Sequence, residues 1–121
     1  MQYPVIGIVG PCAAGKSTLI NNLANLGITA KHIAQEHSFV PAMWERLSSP
    51  DVLIFLDITF EESMKRRKQN WGIEDYQEQQ HRLRHARQYA HLYLDTTSLN
   101  PMQVLECVLK FLDEYDKTTQ E

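Results

Sequence analysis

The chain has 121 residues with 12 Lys+Arg against 15 Asp+Glu, a formal net charge of −3, and its 43% apolar and 22% charged content is ordinary for one globular domain spanning residues 1–121. That composition disfavours a disordered, collagenous or coiled-coil chain, and the acidic balance argues against a nucleic-acid partner, although one locally basic pocket stays compatible with it. The apolar runs are far too short for a membrane span, residues 1–9 lack the pattern of a signal peptide, and two cysteines make no disulfide framework, so the cytoplasm is the expected compartment.

Residues 4–10, Pro-Val-Ile-Gly-Ile-Val-Gly, read as a strand buried on both faces, followed by a loop of small residues over 11–15. Leu19, Ile20, Leu23 and Leu26 recur at helical spacing over residues 16–26, and Gly27 is placed to stop that helix. Residues 28–34 read as a second strand, residues 41–47 as a short helix and residues 48–51 as a turn. Val52-Leu53-Ile54-Phe55-Leu56 is the clearest buried strand. Thr59 is a cap for a helix over residues 60–69, which Trp71-Gly72 breaks. Residues 74–90 read as one exposed helix with a thin apolar stripe at Tyr76, Leu83, Ala86 and Ala90. Leu92-Tyr93-Leu94 is a last strand. Pro101 opens a final helix with Val104, Leu105, Val108, Leu109 and Leu112 inward, and residues 115–121 form a polar, fraying tail. Strands alternating with helices predict an α/β chain with a parallel sheet.

Gly10-Pro11-Cys12-Ala13-Ala14-Gly15-Lys16-Ser17 matches G-x-x-x-x-G-K-[ST], with a strand before it and a helix after it. Glycines let the backbone curl so that its N–H groups face an anion, and the helix start adds its dipole. Lys16 then serves the β- and γ-phosphates, Ser17 serves Mg²⁺, and residues Gly10 to Thr18 form the nucleotide-binding loop. No Asn-Lys-x-Asp segment is present, so ATP is expected rather than GTP.

With Pro50-Asp51-Val52-Leu53-Ile54-Phe55-Leu56-Asp57 and Glu61…Arg66-Arg67, this loop resembles the P-loop NTPase superfamily, closest to deoxynucleoside and thymidylate kinases. Leu92-Tyr93-Leu94-Asp95-Thr96 is similar to their last strand, and Glu36-His37-Ser38 to a Glu-Arg-Ser motif whose glutamate acts as base. The resemblance implies a three-layer P-loop fold with a reduced, four-stranded parallel sheet, ordered 2-1-3-4. It implies a Mg²⁺-dependent phosphotransferase acting on a nucleoside, nucleotide or other small hydroxyl acceptor. Lys16, Glu36, Arg66 and Arg67 are the implied catalytic residues, with Lys68 in the same basic lid segment; Ser17, Glu36 and Asp57 are the implied metal-site residues. Two departures follow from the sequence: His37 replaces the family's arginine, and only residues 27–35 separate the first helix from Glu36, too few for the family's acceptor-binding section. A non-catalytic or weakly hydrolytic ATP-binding module acting on a protein partner, and a homodimer whose neighbour supplies the acceptor wall, therefore stay open.

Other residues carry plainer readings. Asp57 suits a turn. Arg82 and Arg84 point about 200° apart on a helix and cannot share one site, which leaves Arg84 or Arg87 as a further lid cation. His81 and His85 read as an exposed pair, Trp44 and Trp71 as core or hinge, and Tyr93 and Phe111 as packing. Cys12, inside the loop, reads as a small loop residue, with a redox role as the sharper alternative.

Overall fold

The computed structural model describes residues 4–67 and 71–119. Its strands, β1 (Ile6–Val9), β2 (Ala30–His32), β3 (Val52–Asp57) and β4 (Leu92–Asp95), form a four-stranded, all-parallel sheet in the order β2-β1-β3-β4. The predicted strand number, direction and order are all met. Around the sheet run α1 (Lys16–Asn25), a 3₁₀ turn (Gln35–His37), α2 (Met43–Ser48), α3 (Phe60–Arg66), α4 (Ile73–Arg82), α5 (Arg84–Tyr89) and α6 (Pro101–Thr119).

Every residue of β1 and β3 is buried, as expected for central strands covered on both faces. On one face Ile6, Ile8, Val52, Ile54 and Leu56 pack with Leu19 and Leu23 of α1 and Val104 and Val108 of α6. On the other, Val9, Leu53 and Phe55 meet Trp44 of α2 with Leu83 and Ala86. The result is three layers, and each large side chain buried this way contributes roughly 1.5–3 kcal/mol.

Three sequence expectations are corrected. First, β2 has only three residues, because residues 27 and 28 are used to end α1. Gly27 takes φ +81°, its N–H bonds the Ala24 carbonyl, and the Ile28 N–H bonds the Leu23 carbonyl. Second, the segment read as one exposed helix is two, α4 and α5, meeting at Leu83. Arg84 Nη1 caps the His81 carbonyl at 2.8 Å, and Leu83 and Ala86 are fully buried. Third, α6 continues through Thr119, so residues 116–119 of the expected tail extend the helix; residues 120 and 121 lie outside the described residues.

Two local signals are borne out. Thr59 Oγ1 accepts from the Glu62 N–H and caps α3, and Trp71-Gly72 separates α3 from α4. Lys68, like Asn70 and Gln69, lies outside the described residues. Among the described residues no helix is long and apolar enough to cross a membrane.

Candidate functional site

At one position the loop from β1 to α1 has no room for a side chain. A Cβ at Gly10 would overlap the carbonyl oxygen of Leu56, so only glycine lets β1 leave the sheet this close to the end of β3. Ala13 takes the left-handed region at φ +72° despite its Cβ, a strain of roughly 1–3 kcal/mol of the kind found at binding sites. Gly15, at φ +99°, caps α1 and offers no side-chain acceptor, and the first turn of α1 carries no acid. No side chain therefore caps the first N–H groups of α1.

Lys16 is only 6% exposed. Its ammonium curls back over the loop, donating to the Gly10 carbonyl, to the Pro11 carbonyl at 3.3 Å and to Glu36 Oε2 at 2.5 Å. Ser17 and Thr18 are exposed on the next turn. They line a cleft of about 480 Å³ with residues 13–16, Leu19, Arg66, Thr96, Leu99, Pro101 and Val104. That volume falls in the range of small-molecule sites. Arg66 is set in the cleft by four bonds: Nε to Glu62 Oε2 (3.1 Å), Nη1 to the Ala13 carbonyl (3.2 Å) and Thr96 Oγ1 (3.4 Å), and Nη2 to the Thr96 carbonyl (2.8 Å). Thr96, buried, closes the floor, its hydroxyl donating to the Ala14 carbonyl at 2.8 Å.

Glu36 sits in the 3₁₀ turn behind the loop, its side chain 3% exposed. The turn is held by Gln35, whose Oε1 accepts from the Trp44 N–H and whose Nε2 donates to the Val40 and Arg82 carbonyls. Lys16 takes Glu36 Oε2, while Oε1 is buried with no hydrogen-bond partner. Leaving such an oxygen unpaired costs roughly 1–3 kcal/mol. Arg82 Nη1 approaches the Glu36 carbonyl at 3.3 Å.

Asp57 ends β3 under different conditions. Oδ1 accepts from the Ile58 N–H and Gln80 Nε2, both at 2.9 Å; Oδ2 accepts from the Tyr93 hydroxyl at 2.5 Å and Arg87 Nη2 at 3.5 Å. Partial burial, then this bond to Asp57, push the Tyr93 phenol well above the ordinary tyrosine value. Tyr76, bonded to the Ile58 carbonyl at 2.7 Å, is also raised, first by burial and then by the Asp57 charge.

The structure therefore gathers Gly10 to Thr18 with Glu36 through Lys16, and brings Arg66 to the cleft. It does not bring Arg67 or Asp57 there. Arg67 lies over the Trp71 ring at 4.7 Å, and Asp57 spends both oxygens on its own network, including the turn at Ile58. Arg87 reaches Asp57, Arg84 caps α4, and Arg82, set aside in the sequence, is the one that reaches the Glu36 turn. Tyr93 is more than packing, since its hydroxyl donates to Asp57. His85 Nδ1 accepts from Trp44 Nε1 at 3.1 Å and is half-buried. Sequence reasoning missed Gln35, Gln79, Gln80 and Thr96; polar residues on predicted helices and loops gave no signal of which loop, turn or strand end they would bond.

In comparisons with known proteins, no protein-family model matches the chain, and no curated protein matches it either.

Proposed function

We propose that the chain is a P-loop protein of the nucleoside and nucleotide kinase type, which binds ATP with Mg²⁺ and transfers the terminal phosphoryl group to a small hydroxyl acceptor. The observation that carries this reading is Lys16 at the uncapped start of α1, buried among loop carbonyls at the edge of the cleft. Lys16 exchanges Glu36 for phosphate oxygens, Ser17 offers an oxygen to hydrated Mg²⁺, and Arg66 adds positive charge from α3. Glu36, released from its lysine, is then free to accept the acceptor's hydroxyl proton. ATP supplies the phosphoryl group and Mg²⁺ its charge neutralisation; positioning is what the chain contributes.

A second reading, an ATP-binding module without transfer, draws on one observation. Between α1 and the Glu36 turn the chain provides only the three-residue β2, and no acceptor-binding helix. Calorimetry with Mg-ATP and an ADP-release assay with a panel of nucleosides and nucleoside monophosphates separate the two. Binding that Lys16→Ala abolishes, with acceptor-stimulated ADP release that Glu36→Gln slows, is expected. Binding without any acceptor effect would leave the module reading, and undiminished ATP affinity in Lys16→Ala would end both.

A further inference from the structure

One group of side chains beside the loop has no part in that chemistry as a set. Cys12 Sγ, a Glu36 carboxylate oxygen and a His37 ring nitrogen lie within 4.8 Å of one another. Glu36 is the buried member, and its Oε1 has no partner. His37 is exposed, its Nε2 3.9 Å from Glu36 Oε2, and a second imidazole, His32 Nε2, stands 3.8 Å from the same oxygen. Cys12 is gripped from behind by one carboxamide: Gln79 Oε1 accepts from the Cys12 N–H at 2.9 Å, and Gln79 Nε2 donates to Cys12 Sγ at 3.1 Å. Gln79 is itself buried. A fixed donor on the sulfur steadies a thiolate and aims its remaining lone pairs, which is how outer residues orient ligands at metal centres.

We propose that Cys12, Glu36 and His37 bind a divalent transition ion of the zinc type, with a fourth position open to water or His32. The donor set decides the class of ion. A thiolate and an imidazole favour Zn²⁺ and its neighbours, whereas Mg²⁺ and Ca²⁺ take oxygen. Tetrahedral zinc sets its ligand atoms about 3.5 Å apart, so closure from 4.8 Å or less asks for about an ångström of movement, from the exposed His37 ring and from the Cys12 and Glu36 side chains. Cys12 gives up its thiol proton to water on binding. Glu36 Oε2 is the oxygen that faces both imidazoles, His32 at 3.8 Å and His37 at 3.9 Å, so the ion displaces Lys16 from it and leaves the ammonium on the Gly10 and Pro11 carbonyls. The site needs no nucleotide, so it stands or falls apart from the proposed function.

The test is a titration of the full chain with Co²⁺ alone, followed by Zn²⁺ competition against a chromophoric chelator. One equivalent of Co²⁺ with a thiolate charge-transfer band is expected. Cys12→Ser removes the band, His37→Ala weakens Zn²⁺ binding by at least about tenfold, and Gln79→Ala weakens it about 10–100-fold. Cys107→Ser, which alters the other free cysteine, leaves the band intact. Circular dichroism confirms that each variant folds, and His37, being exposed, tests the site even where a loop variant does not fold. No band in the unaltered chain, a band that survives Cys12→Ser, or Zn²⁺ affinity indifferent to His37→Ala overturns the proposal.

Discussion

Glu36 follows β2 and Asp57 ends β3, so two buried carboxylates stand at the carboxyl end of one parallel sheet. Asp57 is met by four donors and has no oxygen to spare. Glu36 is met by one strong donor, Lys16, and keeps an oxygen that nothing satisfies. A carboxylate that the fold saturates is held for stability, because adding a ligand means losing an existing bond. One left half-satisfied beside a strained loop is available to a ligand, and its partner lysine is available too. The difference separates structural charge from working charge on grounds that burial alone does not supply, since both acids are buried.

The largest expected effect tests the buried pair. Lys16→Met leaves the Glu36 charge alone in the interior and lowers stability in urea unfolding by about 3 kcal/mol. Adding Glu36→Gln to that variant recovers most of the loss and none of the ATP binding. A single variant as stable as the parent would mean that the pair is not what Glu36 depends on. Next comes Asp57→Ala, which strands the Gln80 amide and the Tyr93 hydroxyl and costs about 2 kcal/mol, with ATP affinity in calorimetry within about twofold of the parent. Lost ATP binding at unchanged stability would instead make Asp57 a working residue and erase the contrast.

The smallest effect is Tyr93→Phe, and its sign follows from the raised phenol. The folded chain holds the Tyr93 proton more tightly than the unfolded chain does, so the stability this provides is complete below about pH 10 and declines above it. Urea midpoints measured across the alkaline range should therefore fall less steeply in Tyr93→Phe. An identical slope would show that the Asp57–Tyr93 bond does not distinguish the folded state.

The central strands and the loop were legible because their signals are local, whereas the strand order was an implication of the kinase resemblance. Glycine and lysine spacing in residues 10–16 and the apolar runs at β1 and β3 say the same thing in sequence as in space. The surroundings of the two carboxylates were not legible, because their donors come from far along the chain. Gln80 and Arg87, which bond the Asp57 carboxylate, and Arg82, which bonds the Glu36 backbone carbonyl, lie in a segment whose composition reads as a solvated helix. Arg82 and Arg84 do serve different places, and which of them faces Glu36 depends on the interruption at Leu83, which no periodicity marks.

Gln79 and Gln80 are neighbours in the last turn of α4, one holding Cys12 and the other Asp57. Cys12 in the β1–α1 loop and the saturated carboxylate therefore hang from a single peptide unit. When that turn frays both holds are released in one event, so the loop and the end of β3 exchange their amide protons as one cooperative unit rather than two.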